Sequence, residues 1–193
     1  MIPPRVRRLT QDYEKLRKRF ADWPLIRLTG TAGLPPEFYR VSYSIKGLYV
    51  DPTGQILDRL EHVLEMNLSL GYPRRAPQCR MLTPVFHPNF DDVSVCIGDF
   101  WAPSEGLDDL IVRIGRMIAY QEYNTKSPLN GLAARWAAEH PQFLPIDPRP
   151  IGPPLVEKNE IGTVPLVATP LSPPEAPPAT PADDPWAERI VIS

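Results

Sequence analysis

Apolar residues recur at spacings of three and four from Val6 through Leu9, Tyr13, Leu16 and Phe20. That period matches one face of an α-helix. Pro3 and Pro4 suit its start, where a missing amide costs nothing, and Trp23-Pro24 ends it, so a helix is expected over residues 4–21. Its other face carries Arg5, Arg7, Arg8, Lys15, Arg17, Lys18 and Arg19. A short strand is expected over 25–28, and the Gly- and Pro-rich stretch 30–36 reads as a turn. From Phe38 to Leu48 the period drops to two: Tyr39, Val41, Tyr43 and Ile45 point one way, Arg40, Ser42, Ser44 and Lys46 the other. That is a half-buried strand. Further strands are expected over 63–70, with Leu64, Met66 and Leu68 on one face, and over 78–82. Short connections predict an antiparallel meander. A long segment without a period follows Pro84, and loops of that length inside a compact domain are usually functional. Helices are expected over 107–121, with Leu107, Leu110, Ile111, Ile114, Met117 and Ile118 inward, and over 132–140, closed by Pro141. Helix, four-stranded antiparallel sheet, long loop and two C-terminal helices make an α+β layout.

Composition divides the chain. It has 193 residues and 26 prolines, and from Pro141 onward the prolines come every few residues. Proline removes an amide donor and disfavours helix in the residue before it. Residues 1–145 are therefore read as one folded domain and 146–193 as an extended or disordered tail. Near the tail's end, Trp186 and the β-prone run Ile190-Val191-Ile192 read either as inert linker or as a strand added to a partner's sheet edge. The net charge of −2 argues against wholesale nucleic-acid binding. No leader pattern opens the chain and no apolar run is long enough to span a membrane, which points to the cytoplasm. Its two cysteines are then expected to stay reduced. His62 and His140 lack partners at metal-ligand spacing, so no metal is expected.

The aperiodic segment holds the chemistry. Tyr72-Pro73 and Pro77 precede Thr83-Pro84, His87-Pro88-Asn89, Cys96, Trp101 and Pro103, and Ser127-Pro128-Leu129-Asn130 follows. This series resembles the active-site region of ubiquitin-conjugating enzymes, and the resemblance extends over about residues 4–143. It implies the ubiquitin-conjugating fold and an activity. Cys96 accepts a ubiquitin-like protein as a thioester from an activating enzyme, then passes it to a target amine. No cofactor is implied, because the activating enzyme consumes the ATP. The resemblance also implies docking of the first helix, through Arg5, Arg8 and Lys15, to an acidic surface of the activating enzyme. Several departures are visible. The gaps from Asn89 to Cys96 and from Cys96 to Trp101 are short. Arg74 stands where many members have a ligase-docking aromatic, and Ser127 where many have a lysine-activating aspartate. Taken together they resemble bacterial members, encoded in operons of which some act in antiphage defence.

The residue types suit that chemistry. Thiol-to-thiol acyl exchange needs an accessible cysteine with some thiolate character. Onward transfer to an amine passes through an oxyanion, which the Asn89 amide would stabilise unless it serves as a loop staple. His87 reads as a general base or, preferably, as scaffold. Pro88, Trp101 and Ser127 complete the scaffold of the site. Asp91, Asp92 and Asp99 flank the thiol. Cys79 reads as a small core hydrophobe, with a regulatory disulfide to Cys96 as the lesser reading. Two other functions stay open: an inactive module of the same fold that binds a ubiquitin-like protein or bridges partners, and a cysteine hydrolase using Cys96 and His87.

Overall fold

In the computed structural model, which describes residues 1–98 and 101–154, helix α1 spans Pro4–Phe20. Strands β1 (Ile26–Gly33), β2 (Pro36–Val50), β3 (Ile56–Asn67) and β4 (Gln78–Met81) follow. After the long loop come α2 (Leu107–Ile118), α3 (Gly131–Glu139) and a 3-10 turn, Pro141–Phe143. The four strands pair antiparallel in chain order, the expected meander. Every expected element is present in the expected order.

The two sequence periods meet in the core. Tyr39, Val41, Tyr43 and Ile45 are fully buried on one face of β2. Against them lie Leu9, Leu16 and Phe20 of α1 and Leu110, Ile111, Ile114 and Ile118 of α2. The Tyr43 hydroxyl donates to the Ile111 carbonyl at 3.0 Å, so the buried ring keeps a partner. The opposite face of the sheet carries an exposed ladder in which Glu65 takes Arg80 at 2.5 Å and Arg40 at 3.5 Å. A second, smaller cluster joins Leu48, Phe86, Tyr120, Ala133 and Ala137 under α3.

Three strands run longer than expected, β2 by two residues at each end. β1 continues through the stretch read as turn, pairing Gly30 with Arg40 and Thr31 with Tyr39. β3 begins at Ile56, well before residue 63. Both extensions lie largely outside the core, with Leu57 and Leu60 exposed, so cross-strand pairing holds them where burial leaves no period to read. The β2–β3 turn is organised by Asp51, whose Oδ1 accepts from the amides of Thr53 at 2.9 Å and Gln55 at 2.8 Å. Asx turns of this kind do the work of a backbone turn.

The expected domain boundary at residue 145 cuts through a packed segment. Ile151 is buried in the main core, and its carbonyl accepts from the Trp23 indole at 2.6 Å. Close approach is possible because α2 has a glycine there: a Cβ on Gly115 would lie 2.6 Å from Ile151 Cγ2. Gln121 Nε2 donates to the carbonyls of Asp147 and Arg149. Asp147 in turn grips the Arg149 guanidinium at 2.6 Å. The segment thus binds α2 to the loop after α1. The remainder of the predicted tail, 155–193, lies outside the described residues, Trp186 and Ile190-Val191-Ile192 included.

Ile151→Ala is expected to lower the unfolding free energy by about 2–5 kcal/mol, the usual range for emptying a buried aliphatic site. Urea denaturation reads it as a lower midpoint with an unchanged slope. A wild-type midpoint in this variant would mean the segment does not contribute to the core.

Candidate active site

Cys96 follows a tight reversal of the chain. Phe90 and Val95 form an isolated antiparallel bridge. Asp91 closes it, with Oδ1 accepting from the amides of Val93 at 2.8 Å and Ser94 at 2.6 Å. Those donors, working against burial, hold its carboxyl below the usual range. Val95 N donates to the Cys79 carbonyl at 3.0 Å, so the reversal is tied to β4. Cys96 emerges half-buried, and both cysteines are free thiols. Cys79 is buried in the core, where burial pushes its thiol up to about 12 and keeps it protonated.

Asn89 is the joint. Its carbonyl accepts from Cys96 N at 2.8 Å. Its side-chain Oδ1 accepts from Asn124 N at 3.0 Å, in the loop between α2 and α3. With the oxygen so engaged, the Nδ2 amide is the group left to donate, and it has no protein acceptor among the described residues. Pro88 strengthens the same seam, its carbonyl accepting from Leu129 N at 2.9 Å and Asn130 N at 3.1 Å. Asn130 then caps α3 through Ala133 N at 3.0 Å. Of the two roles posed for Asn89 from sequence, the staple uses the side-chain oxygen and leaves the nitrogen end of the amide without a protein acceptor among the described residues.

His87 is fully buried and has both ring nitrogens engaged. Nδ1 accepts from Asn89 N at 3.0 Å, so Nε2 carries the proton and donates to the Glu122 carbonyl at 3.2 Å. Tyr120 and Phe90 pack edge-to-face against the ring, at 4.5 Å and 5.0 Å between centroids. Burial pushes the imidazole down to about 3, with the Glu122 carbonyl opposing weakly. A neutral ring without a free nitrogen is scaffold, and the general-base alternative finds no geometry here.

The segment that follows Cys96 in the chain is held from α1. Trp101 Nε1 donates to the Pro73 carbonyl at 2.7 Å, and its ring lies 6.2 Å from that of Tyr72. The Tyr72 hydroxyl donates to Asp12 Oδ2 at 2.5 Å. Arg8 Nε reaches the same carboxylate oxygen at 2.7 Å. The guanidinium continues to the carbonyls of Pro103 and Glu105, beyond Cys96 in the chain. Burial pushes the Asp12 carboxyl above its ordinary range, with Tyr72 and Arg8 opposing.

This use of Arg8 changes the picture of the basic helix face. The three cations expected to dock a partner are all engaged inside the domain. Arg5 pairs with Glu37 at 2.7 Å, Arg8 with Asp12 at 2.7 Å and Lys15 with Asp108 at 2.8 Å. Arg19 joins the last pair at 2.5 Å. Burial disfavours the Asp108 anion, but Lys15 and Arg19 outweigh it and hold the carboxyl below its ordinary range. The α1 cations without an acid partner among the described residues are Arg7, Arg17 and Lys18. Spacing on a wheel separates apolar from charged positions; it does not separate committed cations from spare ones.

Of the residues picked from sequence, Cys96, Asn89, His87 and Pro88 lie within one hydrogen-bonded cluster, with Trp101 across the Tyr72–Pro73 corner. Ser127 is exposed on the loop seam, its amide 3.4 Å from Asn124 Oδ1. Asp92 is exposed and Asp99 lies outside the described residues. Asn124, Asp12 and Tyr120 went unnoticed as parts of the site. Tyr120 has φ +55° and donates its hydroxyl to the Phe86 carbonyl at 2.6 Å; no sequence period marks such a residue.

Known proteins supply the context for this arrangement. The family model described as ubiquitin-conjugating enzyme matches residues 36–144. Ubiquitin-conjugating enzyme E2 1 of Caenorhabditis elegans is 26% identical over 144 residues, covering 72% of this chain and 69% of that protein. A solved ubiquitin conjugating enzyme from Trypanosoma cruzi superposes with a TM-score of 0.52 at 18% identity, covering 74% of this chain and 93% of its own. At that identity the superposition bears on the fold alone.

The buried rings make a pH prediction. His87 and His62 are held down to about 3 and about 4 by burial, against an ordinary 6.5. Unfolded, both take up protons as pH falls through about 6.5, while the folded protein does not until near 3–4. Stability from these neutral rings is therefore full above about pH 6.5 and falls as pH drops toward 3, at up to about 1.4 kcal/mol per pH unit for each ring. By NMR, the His87 ring is expected to show no titration between about pH 5 and 8. A midpoint inside that range would contradict the scaffold role.

Proposed function

Because this chain belongs to the ubiquitin-conjugating enzyme family, we propose that it carries a ubiquitin-like protein as a thioester on Cys96 and passes it to a target amine. The observation that supports this is the Asn89 joint, which ties the backbone of the half-buried Cys96 to a residue whose side-chain amide is fixed by Asn124. In the loading step the Cys96 thiolate attacks the carbonyl of a thioester on the activating enzyme. A new C–S bond forms, the old one breaks, and the activating enzyme's cysteine leaves as thiolate. In the discharge step an amine attacks the same carbonyl, and negative charge collects on its oxygen. The Asn89 amide donates to that oxyanion from a position held by Asn124, so no reorganisation is needed as charge develops.

With His87 closed off, no side-chain base is assigned to the thiol. Exchange between thiols runs through a thiolate attacking and a thiolate leaving, so it consumes no proton overall and needs no dedicated base. The trimmed loops and Arg74 in place of an aromatic support a pathway of the bacterial kind, in the cytoplasm, with its own activating enzyme; an antiphage role belongs to the same proposal. Arg7, Arg17 and Lys18 are the α1 cations available for an acidic surface on that enzyme. Such contacts speed encounter and are sensitive to salt.

Charging is the test. Incubation with the neighbouring activating enzyme, the ubiquitin-like protein and ATP is expected to give a reductant-sensitive band heavier by one ubiquitin-like protein. The band is absent in Cys96→Ala and resistant to reductant in Cys96→Ser. If the activating enzyme charges itself and no such band forms, the binding-module alternative replaces this one. Asn89→Ala is expected to slow discharge to amine by about 10²-fold or more. Arg7→Glu with Lys18→Glu is expected to raise KM for the activating enzyme and flatten its salt dependence. An unchanged KM would place docking elsewhere.

A further inference from the structure

Arg8 spends its charge inside the domain. Its side chain is only 20% exposed, and Nε donates to Asp12 Oδ2 at 2.7 Å. Nη2 donates to the Tyr72 hydroxyl at 3.0 Å. Those two groups are themselves joined, the hydroxyl donating to the buried Asp12 carboxylate at 2.5 Å. Carboxylate and phenol together hold the guanidinium in one orientation. The same group then reaches two main-chain carbonyls, Pro103 through Nη1 and Glu105 through Nη2. Four of the five N–H donors of the fork are thereby used.

The turn that Arg8 grips is tied to α2 as well. Glu105 N donates to the Ala102 carbonyl at 2.8 Å, and the Glu105 carboxylate pairs with Arg113 at 3.0 Å. On the N-terminal side of Cys96 the chain is fixed by Val95 N on Cys79 and by Cys96 N on Asn89. On the C-terminal side, the next hydrogen bonds among the described residues are those of Trp101 to Pro73 and those of this turn. Cys96 therefore lies on a span of chain with two anchored ends, and Arg8 supplies bonds at one of them.

The geometry points to Arg8 as a positioning residue for acyl transfer: it fixes the far end of that span, and so the orientation in which Cys96 presents a thioester carbonyl to an amine. This rests on the thioester function proposed above. In the step concerned, the amine lone pair attacks the carbonyl, a C–N bond forms and the C–S bond breaks. Cys96 leaves as thiolate, and the proton shed by the amine goes to water. Arg8 enters none of those bonds; it acts through the main chain. Such steps are sensitive to orientation, and a misplacement of about 1 Å can cost about 10²-fold in rate. The planar fork of an arginine can serve a carboxylate and two carbonyls at once, whereas a lysine is a single point charge on a flexible stem. A docking cation works differently. Its loss slows encounter with the activating enzyme and leaves the chemistry of a loaded thioester alone. Loss of the Arg8 fork does the reverse.

Loading and discharge are therefore measured apart. Wild type, Arg8→Lys and Ile151→Ala are loaded to equal thioester, and the activating enzyme is stopped with EDTA. Decay in excess free L-lysine is followed on non-reducing gels, and KM for the activating enzyme is taken from initial rates of loading. Arg8→Lys is expected to discharge at least about tenfold more slowly, with its KM unchanged. Ile151→Ala, weakened in the core and without a bond to this turn, is expected to discharge at the wild-type rate, which separates positioning from loss of stability. A wild-type discharge rate in Arg8→Lys, a raised KM with unchanged discharge, or an equal slowing in Ile151→Ala overturns the inference and leaves the thioester function standing. Should Arg8→Lys fail to fold, Glu105→Gln decides, because it frees the same turn from α2 at a partly exposed ion pair: slowed discharge supports the inference and a wild-type rate overturns it. Failure of the wild type to form any thioester overturns both proposals.

Discussion

One desolvated amide carries the site. Asn89 is buried in a turn that has no regular ladder to satisfy it, and unmade hydrogen bonds there would each cost about 1–3 kcal/mol. Its carbonyl, amide nitrogen and side-chain oxygen go to Cys96, His87 and Asn124. Each of those bonds reaches a different piece of chain. The strand side, the buried imidazole and the loop before α3 therefore share a single anchor. His87 can serve as that anchor's floor only while neutral, which ties the site's integrity to the low dielectric around Tyr120 and Phe90.

The second dependence runs through α1. Burying Asp12 would be unfavourable alone. Tyr72 and Arg8 make it tolerable, and Arg8 has donors left to hold two carbonyls of the segment after Cys96. A helix whose apolar stripe covers the sheet thus also fixes the segment that follows Cys96 in the chain. The same helix presents Arg7, Arg17 and Lys18 outward. A partner on that surface would bear on the element that fixes the segment after Cys96.

Much of the fold was legible because burial imposes a period. Tyr39, Val41, Tyr43 and Ile45 announced β2, and Leu9, Leu16 and Phe20 announced α1. The outer halves of β1 and β3 were not legible, since an exposed strand held by pairing needs no alternation. Nor was the packing of Ile151, hidden in a proline-rich stretch whose composition speaks for disorder; only Gly115, a gap in an otherwise bulky helix, marks its socket. At the site, His87, Pro88, Asn89 and Cys96 stood out by residue type and order. Asn124 did not, because a side chain accepting from a distant main-chain amide leaves no local pattern. The ion pairs of the basic face were hidden for a related reason: Arg5, Arg8 and Lys15 look like solvent charge in sequence, and their acids lie on other elements or on the buried side of the helix.

The contrast between the two cysteines has a practical side. Cys79 is sealed in the core and held protonated, while Cys96 stands half open at the turn. Under native conditions, a thiol-reactive dye therefore has a single addressable sulfur per molecule. One equivalent of label marks one intact site, and any uptake beyond that reports molecules whose core has opened. The fold carries its own thiol titration, with a built-in gauge of how much of a preparation is properly folded.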